Sequence, residues 1–222
     1  MERSAAILFD LDGTLVDSAP SLTRGLNTFI RRRGGTPVAE KDVRRWISLG
    51  GGEMIKGALG DKGGDPVTDL NEFRAILRSQ KGDPADLYPG VVKALQNLHS
   101  DGHKIALCTN KREDIAYPLI ADLGIAPLID AVAGGANGHR LKPDRFLVDL
   151  ALKRLIYGGK EIIFVGDSEV DAATAVNAGV PFVLVSFGYP VGRLEDMAYA
   201  ARIDHFDALR QVVCRILAQS QV

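Results

Sequence analysis

The sequence predicts an α/β protein: a mostly parallel, Rossmann-like sheet with helices on both faces, plus an inserted all-helical cap domain. Three observations carry this prediction. From Pro89 onward, short apolar runs alternate with segments whose apolar residues recur at helical spacing, the pattern of a helix-covered parallel sheet. One further apolar run, Ala6 to Phe9, stands alone near the N-terminus. Between them lies a block of helical periodicity with no strand-like alternation. The expected division is a catalytic core of residues 1–17 and 87–222 and a helical cap of residues 18–86.

Taken in order, Ala6–Phe9 is short, apolar and followed at once by turn chemistry, as a buried strand should be. Ser18 and Pro20 suit the start of a helix with Leu22, Leu26, Phe29 and Ile30 on one face and Gly34–Gly35 at its end. Val43–Trp46–Ile47, Met54–Ile55–Ala58–Leu59 and Leu70–Phe73–Ile76–Leu77 repeat that spacing, with Gly-rich breaks between them. Tyr88–Pro89–Gly90 returns the chain to the core. A helix through Val91, Leu95 and Leu98 then leads to a strand over Lys104–Cys108. Ile115 to Leu123 is helical, Leu128 to Ala133 a weaker strand, and Phe146 to Leu155 helical again. Ile162–Val165 and Phe182–Val185 are strands flanking an Ala-rich helix stopped by Gly179. A weak strand over Ala201–Ile203 precedes a closing helix, Leu209 to Leu217.

Bulk properties exclude several classes. The formal net charge of 222 residues is -1, with 27 basic and 28 acidic residues interspersed, which argues against nucleic acid as the partner. Arg31–Arg32–Arg33 reads as a solvated helix end. No apolar run spans a bilayer and the N-terminus lacks a signal-peptide core, so a cytoplasmic protein without membrane contact is expected. Cys108 and Cys214 have neither metal-ligand nor redox spacing and read as buried thiols. The four His residues are scattered, which disfavours a histidine metal site. A monomer or homodimer is expected.

Chemistry concentrates where the first strand ends. Asp10 and Asp12 are followed by Gly13 and Thr14, and the carboxyl ends of strands form the ligand crevice of an open α/β sheet. Two such carboxylates repel unless a cation or shared proton relieves them. The pair can hold magnesium, and one member can be a nucleophile while the other moves protons. A plain polar turn is the alternative reading of this segment.

Asp-Leu-Asp-Gly-Thr-Leu-Val-Asp-Ser, from Asp10 to Ser18, closely resembles the first signature of the haloacid dehalogenase superfamily. Thr109–Asn110, Lys142–Pro143 and Gly166–Asp167–Ser168–Glu169–Val170–Asp171 resemble the later signatures, in the family's order. The resemblance implies that Asp10 is the nucleophile, forming an aspartyl-phosphate, and that Asp12 is the general acid and base. Dehalogenases of the superfamily lack a carboxylate at the Asp12 position, so its presence points to phosphoryl chemistry. The implied cofactor is Mg2+, held by the side chains of Asp10 and Asp167, the main-chain carbonyl of Asp12, and Asp171 directly or through water. For Asp167 and Asp171 the alternative is a helix start whose acidic residues complement the dipole. Thr109, the backbone N–H groups of Asn110 and Lys111, and the Lys142 ammonium are the implied phosphate ligands. Glu169 is expected to face solvent. Lys142–Pro143–Asp144–Arg145 departs from the Lys-Pro-small-Pro pattern of many relatives, and His139, Arg140 and Arg145 read as solvated loop residues.

The helical block carries no catalytic constellation of its own, so its expected task is to close over the crevice and read the leaving group, hinged at Leu15–Ser18 and Asp86–Pro89. Its Trp46–Glu53 stretch resembles the substrate-reading loop of phosphoglycolate phosphatases, which points to Gly50 and Gly51 as substrate-binding positions. The implied activity is hydrolysis of a small phosphorylated metabolite, 2-phosphoglycolate first. Phosphatases of sugar phosphates or pyrophosphate, a hexose-phosphate mutase, and a non-catalytic phosphate-binding regulatory module are the alternatives.

Overall fold

The computed structural model of the protein describes residues 4–47, 50–60 and 63–219. Six strands, β1 (Ala6–Phe9), β2 (Lys104–Arg112), β3 (Ala131–Gly135), β4 (Ile162–Gly166), β5 (Phe182–Val185) and β6 (Ala201–Ile203), form one sheet in the order β3-β2-β1-β4-β5-β6. Every neighbouring pair is parallel. The weak apolar signal at Ala201–Ile203 is thus a genuine edge strand, ordered by its partner β5 rather than by its own composition.

Alternate residues of each strand enter opposite layers, because successive side chains point to opposite faces. Ile7 and Phe9 join one apolar layer with α5 (Val91–Ser100), α6 (Glu113–Asp122) and α9 (Leu209–Gln219). Leu8 joins the other with α7 (Phe146–Arg154) and α8 (Glu169–Ala178). Burial on both faces explains why these strands read as continuous apolar runs.

The chain leaves β1 toward β2 and β3 on one side and later returns to place β4 on the other. The crevice that such a reversal opens lies at the carboxyl ends of β1, β2 and β4.

Between β1 and β2 run α1 (Ala19–Arg32), α2 (Glu40–Ile47), α3 (Gly51–Leu59) and α4 (Pro66–Ser79), packed on an apolar cluster of their own. Phe29 and Phe73 meet at its centre, ring centroids 6.2 Å apart. Two antiparallel-running connections join this lobe to the sheet, through Asp17 N–H to Asp86 O (2.8 Å) and Tyr88 N–H to Leu15 O (3.0 Å). Ser18 occupies the N-cap of α1, but its side chain makes no capping bond; Pro20 alone provides the sequence's start signal there. Phe73 is 1% exposed. Its replacement by Ala is expected to cost about 3–5 kcal/mol, measured by urea unfolding, and a loss below 1 kcal/mol would mean the lobe repacks.

Candidate active site

The site assembles at the ends of β1, β2 and β4, with contributions from the loops after β3 and β5. Gly13, directly after Asp12, has φ of +88°, and a Cβ there would run into the carboxylate of Asp167, so only glycine lets the first loop approach the fourth strand. Thr14 Oγ1 then donates to Asp167 Oδ1 at 2.8 Å, and the Tyr189 N–H donates to Oδ2 at 2.7 Å.

Asp10, Asp167 and Asp171 each place a carboxylate oxygen within 4.8 Å of the others, all buried. Lys142 enters from the loop before α7. Its Nζ donates to Asp171 Oδ1 at 2.6 Å and pairs with Asp10 Oδ1 at 2.9 Å. The contact to Asp10 is an ion pair rather than an aligned hydrogen bond, and that buried oxygen has no hydrogen-bond donor. Asp171 Oδ2 accepts from Ser168 Oγ (2.7 Å) and the N–H groups of Asp167 and Ser168, in a capping box at the start of α8. Both of its oxygens are therefore engaged.

The electrostatics follow from burial. Desolvation raises the Asp10 carboxyl to about 6 despite Lys142, with Asp171 and Asp12 adding repulsion. Desolvation, then the Asp171 and Asp10 charges, push Asp167 well above the carboxylate range. Burial works against the Lys142 ammonium, but the charges of Asp10 and Asp171 outweigh it and raise its pKa. Three buried carboxylates facing one ammonium leave an excess of negative charge, with one lone-pair oxygen undonated. That donor set of hard oxygens fits a divalent cation such as magnesium.

Asp12 stands apart from this cluster, its carboxylate held by Lys111 Nζ at 2.9 and 3.1 Å. Thr109 Oγ1 accepts the Lys111 N–H at 3.2 Å, so that N–H, read from the sequence as a phosphate donor, is already engaged. The Asn110 amide grips the Lys142 backbone from both sides, accepting from its N–H (2.7 Å) and donating to its carbonyl (3.1 Å). No sequence signal announced that positioning role. Asp144 Oδ1 accepts the Phe146 N–H at 2.8 Å, which explains how α7 starts where relatives carry a second Pro.

His139 packs on Phe146, Arg140 pairs with Asp144 and Arg145 with Asp149; none of them lines the cavity. Glu169 is half-exposed and also accepts the N–H groups of Val191 and Gly192, a contact the sequence did not suggest. Cys108 is buried, which pushes its thiol up to about 12, whereas Cys214 is only half-buried.

A cavity of about 110 Å³ separates the sheet edge from the helical lobe. Its floor is Asp10, Asp12, Thr109, Asn110, Lys111, Lys142 and Asp167; Gly50, Gly51 and Arg74 line it from the lobe. Ser48 and Leu49, in the loop read as substrate-contacting, lie outside the described residues.

The model of the haloacid dehalogenase-like hydrolases matches residues 7–185, the span that holds every motif above. The chain belongs to that family. A phosphoglycolate phosphatase of Rhodobacter capsulatus is 36% identical over 212 residues, covering 94% of this chain and 96% of its own. A Haemophilus somnus crystal structure described as a predicted phosphoglycolate phosphatase superposes with a TM-score of 0.80 at 25% identity, covering 93% of this chain and 96% of that one. A β-phosphoglucomutase of Clostridium difficile shares the fold at a TM-score of 0.74 and 19% identity, covering 97% of this chain and 100% of that one. The fold by itself therefore does not fix the activity.

Among the described residues, no helix is long and apolar enough to cross a membrane.

Proposed function

We propose that this hydrolase is a magnesium-dependent phosphatase that hydrolyses 2-phosphoglycolate through an aspartyl-phosphate on Asp10. The observation that carries the reading is Asp10 itself: a buried carboxylate at the cavity floor, paired through Oδ1 with Lys142 and clustered with Asp167 and Asp171. The 36% identity to a phosphoglycolate phosphatase over nearly the whole chain supports the substrate. We take residues 18–86 as the cap that closes over the core of residues 1–17 and 87–222.

Asp10 attacks phosphorus in line, an O–P bond forming as the bond to the glycolate oxygen breaks. Asp12 gives the leaving oxygen its proton. A bound phosphate dianion competes with Asp12 for Lys111, which frees the Asp12 carboxylate to take up a proton from solvent and turn to that oxygen; the proton it later takes from the attacking water restores it. Water then attacks the acyl phosphate, and Asp12 takes its proton, releasing phosphate and restoring Asp10. Thr109 and Asn110 border the phosphoryl position, and Lys142 keeps Asp10 ionised against its burial. Magnesium would be held by Asp10, Asp167 and the Asp12 carbonyl, with Asp171, already engaged by Lys142, through water. Bound there, it supplies positive charge to the phosphoryl oxygens.

A panel of phosphate esters and pyrophosphate, assayed with magnesium, with EDTA and with calcium, tests the reading. The expected result is a kcat/KM for 2-phosphoglycolate on the order of 100-fold above hexose phosphates, silence in EDTA, and inhibition by calcium, whose larger and looser oxygen shell misplaces the nucleophile. Undiminished turnover in EDTA, or preference for a hexose phosphate, would overturn it.

A further inference from the structure

We infer that Arg74 is the specificity residue of the site: its guanidinium, on the cap wall of the cavity, binds a carboxylate on the leaving group of the substrate. The inference deepens the phosphatase reading and rests on it. Leu70, Arg74 and Leu77 follow one another at i, i+4 and i+7 on α4, so they form one stripe, and that stripe lines the cavity. A cation between two leucines is out of place on such a stripe unless an anion meets it.

Among the described residues, nothing provides that anion. Every other cation on the cavity wall is paired: Lys111 with Asp12, Lys142 with Asp10 and Asp171, Arg112 with Asp114. Among the described residues, Arg74 has neither an ion pair nor a hydrogen bond. The nearby carboxylate, Asp114, is already consumed. Its Oδ1 accepts from Arg112 Nε at 2.9 Å and its Oδ2 from Arg78 Nη1 at 2.8 Å. Burial, followed by the neighbouring charge of Arg112, pulls the Arg74 guanidinium below its ordinary pKa, with Asp114 opposing and Arg78 adding to it, as expected of a cation short of counter-charge.

A guanidinium presents two parallel donors that match a carboxylate, which a lysine cannot do. The floor of the cavity thus holds Lys142, Lys111 and the carboxylates that fit a divalent cation, the roof carries Arg74, and apolar walls lie between. A short molecule with a phosphate at one end and a carboxylate at the other satisfies both. A neutral sugar offers the half-buried Arg74 only hydroxyl groups and gains less. The Gly50–Gly51 turn borders the same cavity and permits close approach there; the charge that discriminates comes from α4.

The test compares 2-phosphoglycolate with ethyl phosphate, which has the same two carbons and no carboxylate, on the full chain with magnesium. Arg74→Met should lower kcat/KM for 2-phosphoglycolate roughly 10- to 100-fold, mainly through KM, with a loss on ethyl phosphate of no more than about threefold. Arg74→Lys should regain part of the loss. Equal losses on the two esters, or none on 2-phosphoglycolate, would sink the inference. Calorimetry in the Asp10→Asn background separates it from the phosphatase reading, because it reads binding without turnover. There 2-phosphoglycolate should bind more tightly than ethyl phosphate, and Arg74→Met should erase the difference. Equal affinities before the Arg74 change overturn the role of Arg74 even if the enzyme is a phosphatase. A carboxylate preference in binding without any turnover of the native chain overturns the phosphatase reading and leaves Arg74 in place.

Discussion

Replacing Asp10 with Asn is expected to abolish turnover, by at least roughly 10,000-fold in kcat, because the amide has no carboxylate to form the phosphoryl bond. Hydride trapping should capture an acyl phosphate on the native chain and none on the variant. Stability should move the other way. The folded-state pKa of Asp10, about 6, lies above the ordinary carboxylate value. A group of that kind stabilises the fold fully below its unfolded pKa, and the contribution is lost as pH rises through the folded value. Without metal at pH 7.5, native Asp10 is ionised at a cost that Asn does not bear. In EDTA the variant should therefore melt at or above the native Tm at pH 7.5, with its advantage shrinking as the pH is lowered through 6 toward 4. Near-native kcat would refute the nucleophile, and a Tm difference that grows in acid would refute the electrostatic account.

Lys142→Met should damage both fold and activity. Lys142 is 6% exposed, and its ammonium stands between Asp10 and Asp171 over the face of Phe164, 5.7 Å from the ring centroid. Removing it leaves two buried carboxylates facing each other without a cation. Breaking a buried ion pair from one side costs about 3–5 kcal/mol, which for a chain of this size lowers Tm by roughly 6–20 °C. Turnover should fall below one hundredth of native, since nothing then holds Asp10 ionised or offsets phosphoryl charge. The double change Lys142→Met with Asp171→Asn should recover much of the Tm and none of the activity. If the single variant melts with the native protein, the ammonium is not the counter-charge of the cluster.

The placement of the core chemistry was readable from the sequence because it rests on local periodicity and chain order. Asp10, Thr109 and Asp167 each stand at or just past the end of a strongly apolar run, and parallel strands carry those ends to one edge. The same logic located the helical lobe, whose residues Leu22 to Leu77 repeat at helical spacing without interruption by a strand. Signals that depended on one residue did worse. Ser18 had the chemistry of a cap and makes no capping bond, while Glu169, read as solvent-facing, is half-exposed and also closes the loop at Val191–Gly192.

Only the tertiary structure decided what lies between distant segments. Asn110 holds the Lys142 backbone across 32 positions. Tyr189 gives its N–H to Asp167 and its hydroxyl to Asp17, where Arg44 of α2 also pairs, joining the carboxylate cluster to the connection between lobe and sheet. Arg74 was invisible in advance because an arginine on an amphipathic helix is ordinarily a solvated residue. What sets it apart is that packing turned its stripe into the cavity while Arg78 and Arg112 took both oxygens of Asp114. By itself, then, the sequence determined the sheet, the lobe and the order of the candidate site residues, since periodicity and covalent order act within a few residues. The partners of the cavity's charges, and the absence of one for Arg74 among the described residues, were set by which segments meet in space, and no spacing along the chain records that.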